Sequence, residues 1–212
     1  MSRSKSNRGG KRGGGGGGHV DIISTESMLS RREGNQTEVD ESLSAFQEVF
    51  DQYGQIVDDI QVAQIGAKDL AVMAYYDGAN VAVNDRYFNT RAMNAAYDNS
   101  VNSGFHPSRG NKTGMQAVVY HELGHKLTDD YGKKLGYNYS QLDHVAKIIC
   151  EKARKNTTSR GVVIMASKIS GYAQKSNAEC VAEAFADVCC NGSRAKAESR
   201  AIVNELNRVL KK

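Results

Sequence analysis

The sequence predicts an α+β fold in which a small sheet packs on one long apolar helix and the C-terminal half is mainly helical. Three observations carry that expectation. Two short β-like runs, Ala71 to Tyr76 and Val81 to Val83, stand ahead of position 113. An apolar helical pattern then runs through Met115, Ala117, Val118, Val119, Leu123 and Leu127. Helical patterns recur over 140–155, 177–190 and 194–210. A chain of 212 residues suits one domain with a core of its own.

Residues 1–18 hold Arg3, Lys5, Arg8, Lys11 and Arg12, no acid, and the run Gly13 to Gly18. This segment carries +5 in a chain whose net charge is +4, which leaves −1 for residues 19–212. Glycine-rich basic sequence cannot bury apolar surface, so a disordered arm is expected over 1–18 and a folded domain over 19–212. The arm's charge fits a solvated tail as well as a contact with nucleic acid, an acidic partner or a virion, and no interleaved aromatics favour nucleic acid. Further on, Val39, Leu43, Phe46 and Phe50 form a helical stripe after Thr37, ended by Gly54. The two β-like runs are joined by Asp77-Gly78-Ala79-Asn80, which reads as a hairpin. A strand there can be an ordinary sheet strand, or an edge on which an extended peptide lies. A polar helix is expected from Thr90 to Asn102, followed by a loop, Gly104 to Gly110, that contains the only proline.

The pattern His121-Glu122-Leu123-Gly124-His125 lies inside the apolar helix. Thr113 and Gln116 have capping-box spacing at its start. Histidines four apart on a helix share a face and can reach one metal ion, while the glutamate beside them is placed as a general base. HExxH on a helix is therefore a zinc hydrolase signature. The competing reading is two hydrogen-bonded core histidines. A catalytic zinc needs a third protein ligand and an open position. A histidine in the longer pattern HExxHxxGxxH would fall at 131, where Tyr131 stands, so the metzincin pattern is absent. The segment Asn177 to Asp187 places Glu179 and Glu183 four apart among small and apolar residues. A helix of that composition is buried, and buried carboxylates need a cation or donors. Ser176 and Glu179 also have capping-box spacing, so Glu179 can instead close the helix N-terminus, with Glu183 and Asp187 on a solvated stripe. Spacing alone does not choose between Glu179 and Glu183 as the ligand.

The motifs HELGHKLTDDYG and GYAQKSNAECVAEAFADV resemble gluzincin metallopeptidases, specifically the catalytic domain of anthrax toxin lethal factor and the related zincin-like domains of phage head and mobile-element proteins. The resemblance covers roughly Ala71 to Asp187, and Phe105-His106-Pro107 also looks like the phage-associated members. It implies a zincin-like fold and one Zn2+ held by His121, His125 and Glu179. It implies Glu183 as an outer residue behind the ligands and Tyr172 as a donor to the oxyanion; no role carries over to His106. The expected activity is hydrolysis of a peptide bond in a protein or peptide substrate by a zinc-activated water, with Glu122 as general base, in a protein of phage or mobile-element origin. The rival expectation is a virion-associated structural or nucleic-acid-binding protein whose zincin fold is catalytically idle.

No signal peptide or membrane span is read, so a protein of the cytoplasm, or of the virion if phage encoded, without membrane contact is expected. Cys150, Cys180, Cys189 and Cys190 have no metal-binding spacing and are expected as reduced thiols.

Overall fold

The computed structural model describes residues 20–54 and 57–211. The basic arm expected over residues 1–18 lies outside them. The fold is α+β: a four-stranded mixed sheet and seven α-helices among the described residues.

The strands are β1 (Ile22–Ser27), β2 (Ile60–Ile65), β3 (Ala74–Tyr76) and β4 (Val81–Asn84), in spatial order β1-β2-β4-β3. β1 with β2 and β3 with β4 are antiparallel, whereas β2 and β4 run parallel. The predicted hairpin is β3–β4. Asp77 shapes its turn by accepting the Ala79 and Asn80 N–H groups at 2.8 and 2.7 Å, and Gly78 takes a φ of +104° that a side chain would strain. Residues alternate across the sheet: Ile60, Val62, Tyr76, Val81 and Val83 enter the main core, while Ala63, Ile65, Tyr75 and Ala82 form a small cluster on the other face. β1 and β2 were not predicted. β1 is exposed along most of its length and shows no apolar alternation to read.

The predicted stripe of the first helix needs a correction. Helix α1 (Gln36–Tyr53) buries Val39, Ser42, Ala45 and Val49, while Leu43 and Phe46 sit at the margin and Phe50 is exposed. The small residues Ser42 and Ala45 permit the close approach, so the contact seam lies to one side of the bulkier row. Gly54 ends the helix with φ +82° as expected.

Helix α2 (Thr90–Asn102) and helix α3 (Gly114–Lys134) match their predictions. Both halves of the Thr113–Gln116 capping box form. α3 is the central element, packed against α1, α2 and the β3–β4 side of the sheet. Met115, Val119, Leu123 and Leu127 are fully or almost fully buried along it, each contributing about 1.5–3 kcal/mol. Helices α4 (Leu142–Arg154), α6 (Asn177–Asn191) and α7 (Ala197–Leu210) form the helical C-terminal half. α4 begins after a 3-10 turn, Tyr139–Gln141, and α7 begins later than the predicted position 194. Helix α5 (Val162–Ile169) was not predicted: it is eight residues long and leaves Val163 and Ile164 in solvent, too short and too one-sided to print a period. All four cysteines are free thiols; Cys150, Cys180 and Cys190 are buried. No helix of the described residues is long and apolar enough to cross a membrane.

Candidate metal centre

The site is made where α6 crosses α3, and one glycine sets how closely they cross. A Cβ at Gly124 would stand 2.8 Å from Ala182 Cα and 3.1 Å from Phe185 Cβ. With no side chain on one helix and a methyl group on the other, the backbones approach until glutamates on α6 reach histidines on α3. The N-terminus of α6 is capped without help from Glu179. Ser176 Oγ accepts the Glu179 N–H at 3.1 Å, and Asp143 on α4 accepts the Ala178 N–H at 3.0 Å. The Glu179 carboxylate is therefore free to turn into the site, which sets aside the reading in which it only closes its own helix.

His121 Nε2 lies 3.0 Å from Glu179 Oε2, and His125 Nε2 lies 3.4 Å from the same oxygen. One ligand atom from each of His121, His125 and Glu179 falls within 4.8 Å of the other two. Behind them, Glu183 is 1% exposed. Its Oε1 accepts from His121 Nδ1 at 2.8 Å and from His106 Nδ1 at 3.0 Å, and its Oε2 accepts from Ser170 Oγ at 2.7 Å. Ser170 in turn takes the Ala173 N–H at 3.0 Å. The solvated stripe offered as the alternative for Glu183 and Asp187 is absent. Both are buried, and Asp187 accepts from Asn191 Nδ2 and the Lys196 N–H, tying α6 to α7.

The electrostatics follow from this enclosure. Burial alone disfavours a charged imidazole at His121, but hydrogen bonds to Glu179 and Glu183 outweigh it and hold His121 well above its usual value. Burial pushes Glu179 and Glu183 up, yet the neighbouring histidines reverse the sign. Glu179 is held well below the usual carboxylate range by the charge of His125 and hydrogen bonds from both site histidines. Glu183 is held at about 2 by hydrogen bonds from His106 and His121. Glu122 behaves differently: burial raises it, the two histidines only partly oppose that, and no described side chain hydrogen-bonds its carboxylate.

The donor set fits a metal ion. An ionised Glu183 only accepts, so His121 Nδ1 carries a proton, which leaves Nε2 facing the Glu179 oxygen; stripped of any proton, the two atoms would meet lone pair to lone pair. Two lone pairs 3.0 Å apart need a shared cation, either a proton on Nε2 or a metal ion. Two imidazole nitrogens and a carboxylate oxygen suit a divalent transition-metal ion, whose ligands at about 2.0–2.2 Å in tetrahedral array would stand about 3.3–3.6 Å apart. The observed 3.0 and 3.4 Å are close to that spacing. His125 differs from His121 in that its Nδ1 is buried without a partner among the described residues.

Tyr172 begins a 3-10 turn, Tyr172–Gln174, and its ring stacks on His121 at 5.7 Å between centroids. The phenol is raised by burial and by the charges of Glu179, Glu122 and Glu183, so it remains a protonated donor beside the carboxylates. The turn is stitched to the loop ahead of α3: the Gly171 and Tyr172 N–H groups donate to the Gly104 and Phe105 carbonyls at 2.8 and 2.9 Å. Tyr139 lies on the other side, its phenol raised to about 12 by burial and then by the charge of Glu122. Its hydroxyl donates to the Tyr76 carbonyl at 2.9 Å, at the end of edge strand β3.

The six sequence-predicted residues, His121, Glu122, His125, Tyr172, Glu179 and Glu183, are thus brought together. Tyr131 sits fully buried away from the site, its hydroxyl donating to Glu205 at 2.6 Å, because α3 continues unbroken past Thr128. Sequence reasoning missed Ser170, Asp143 and Tyr139 and assigned no role to His106. Only the proline after His106 marked that loop as fixed. No protein-family model, curated protein or solved structure matches this chain.

Proposed function

We propose that this protein is a zinc-dependent metallopeptidase with a zincin-like arrangement of its central helix and sheet. The observation that carries the reading is the convergence of His121, His125 and Glu179 on one point, with the buried Glu122 carboxylate within reach of the charges of both histidines. His121 Nε2, His125 Nε2 and a Glu179 oxygen would hold the ion. When bound, zinc supplies Lewis acidity, which brings the pKa of water down to about 7 and polarises a substrate carbonyl.

The remaining work belongs to side chains. Glu122, with its affinity for a proton raised by burial, takes the proton of the attacking water and returns it to the leaving amine. Glu183 keeps the proton of His121 on Nδ1, so that Nε2 stays a ligand. Tyr172 keeps its phenolic proton and donates it as a hydrogen bond to the oxyanion that develops on the substrate carbonyl. An extended substrate would pair along β3. In the β3–β4 ladder the Asp77–Asn80 and Asn84–Met73 bonds set the alternation, so the outward-facing groups of β3 belong to Ala74 and Tyr76, and of these the Tyr76 carbonyl already accepts from Tyr139, which leaves Ala74 and the Tyr76 N–H for a substrate. Main-chain pairing there reads little of the substrate's sequence.

The test is zinc content by mass spectrometry, with hydrolysis of fluorescent casein, on wild type, Glu122→Gln and Glu179→Ala. About one zinc per chain in the first two, cleavage only in wild type, and poor zinc retention in the third are expected. Cleavage retained by Glu122→Gln removes Glu122 as the base.

A further inference from the structure

Among the described residues, His106 is the one histidine at the site that neither belongs to the HExxH pattern nor touches the ligand point. We infer that His106 is a positioning residue for the metal centre, acting through Glu183: its Nδ1–H fixes the carboxylate oxygen that in turn orients His121. The inference rests on the metal-site reading above and deepens it.

The geometry specifies this role in three ways. First, His106 Nδ1 and His121 Nδ1 converge on the same oxygen, Glu183 Oε1, at 3.0 and 2.8 Å, while Ser170 holds the other oxygen. A carboxylate gripped at both oxygens cannot rotate about its terminal torsion, which is otherwise broad. Without His106, Oε1 would be held only by His121, the residue it has to orient, and Ser170 would be the one independent anchor of the carboxylate, so the partner of a ligand loosens. Second, the ring is locked. It stacks on Tyr97 at 5.3 Å and 11° and meets Phe105 and Tyr172 edge-on at 5.1 and 5.2 Å. The chain's single proline, Pro107, restricts the backbone of His106 to extended conformations. The Phe105 N–H donates to the Ser100 carbonyl at 2.8 Å, tying the loop to the end of α2. Third, the polar end of His106 is not spent on its own loop. A histidine that only braced the loop would bond loop backbone, whereas this one reaches 77 residues along the chain to a carboxylate buried behind the metal point.

An asparagine at 106 places its amide N–H close to where the imidazole Nδ1–H lies, whereas phenylalanine keeps the aromatic stack and loses the donor. The experiment measures zinc affinity by competition with a chromophoric chelator for full-length wild type, His106→Asn and His106→Phe, with a circular dichroism melt of each to confirm folding. Outer partners of metal ligands are typically worth 10–100-fold in affinity. Being one bond further out, His106→Phe is expected to weaken zinc about tenfold, and His106→Asn to stay within about threefold of wild type. Wild-type affinity in His106→Phe overturns the inference. So does an equal loss in a folded His106→Asn, which would assign the effect to ring packing. Failure of the metal-site reading is told apart in the unsubstituted protein, which would then take up no zinc at all.

Discussion

Replacing Gly124 by alanine tests the construction of the centre without touching a ligand. The added Cβ would stand 2.8 Å from Ala182 Cα, 3.1 Å from Phe185 Cβ and 3.3 Å from the Ala182 carbonyl oxygen. Carbon atoms in contact prefer about 3.5–4.0 Å, so α6 must retreat from α3 by roughly 0.7–1 Å. Glu179 and Glu183 ride on α6, and their contacts with His121 are 3.0 and 2.8 Å. Metal sites hold their ligand distances to about 0.2 Å, several times less than that retreat. The stability effect is smaller, because overpacking costs about 1–3 kcal/mol and the gain in helix propensity returns about 1. A net loss of about 0–2 kcal/mol lowers Tm by up to about 8 °C in a domain of this size. Zinc affinity should fall by roughly 10–100-fold, a loss of the kind seen when a ligand is misplaced. The comparison protein is Gly136→Ala: Gly136 has φ +84° and open space around it, so alanine there costs backbone strain and leaves the crossing alone. Chelator competition and thermal melts on both variants decide the matter. Gly124→Ala with zinc affinity within about twofold of wild type, or Gly136→Ala with an equal loss, would refute the close-crossing argument.

Zinc at a hundredfold excess over its Kd should stabilise the protein by about 2.7 kcal/mol, raising Tm by roughly 5–10 °C, and Glu179→Ala should abolish the rise in a calorimetric melt. Tyr172→Phe should bind zinc as wild type does and lose about 10²–10³ in kcat on a peptide substrate; an unchanged kcat would exclude its hydroxyl from the reaction. A third prediction concerns pH and lies outside the site. Glu205 is lowered below the usual carboxylate range by hydrogen bonds from Arg208, with burial opposing and Tyr131 assisting. A carboxylate lowered in the folded state stabilises it above the unfolded pKa of about 4.3 and loses that contribution as pH falls through the folded value. Glu205→Gln should therefore cost about 1–2 kcal/mol at pH 7, and its Tm deficit should shrink as pH drops below about 4. A deficit constant from pH 7 to 3 would show that shape, not charge, holds that junction.

The parts of this molecule legible in the sequence are those whose physics is local. The capping box of Thr113 and Gln116, the turn at Asp77-Gly78 and the four-residue spacing of His121 and His125 each depend on neighbours within one element, and each forms. The stripe of α1 misled at Phe50 because burial there depends on which surface α3 presents, which the period alone does not encode. β1 left no signal because an edge strand exposed on both faces has no apolar alternation to display. The choice of Glu179 over Glu183 as the candidate ligand is the sharpest case. Both lie on one face of α6, and both spacings are alike. What separates them in space is a capping arrangement completed by Asp143 from another helix, together with His106 and Ser170, which claim Glu183 from behind. Each of those partners lies between 13 and 77 residues from the carboxylate or helix end it serves, further than any periodic pattern reaches. A site of this kind is therefore readable in its ligands and unreadable in its supports, and substitutions among the supports discriminate best between a working metal centre and two histidines that merely share a helix.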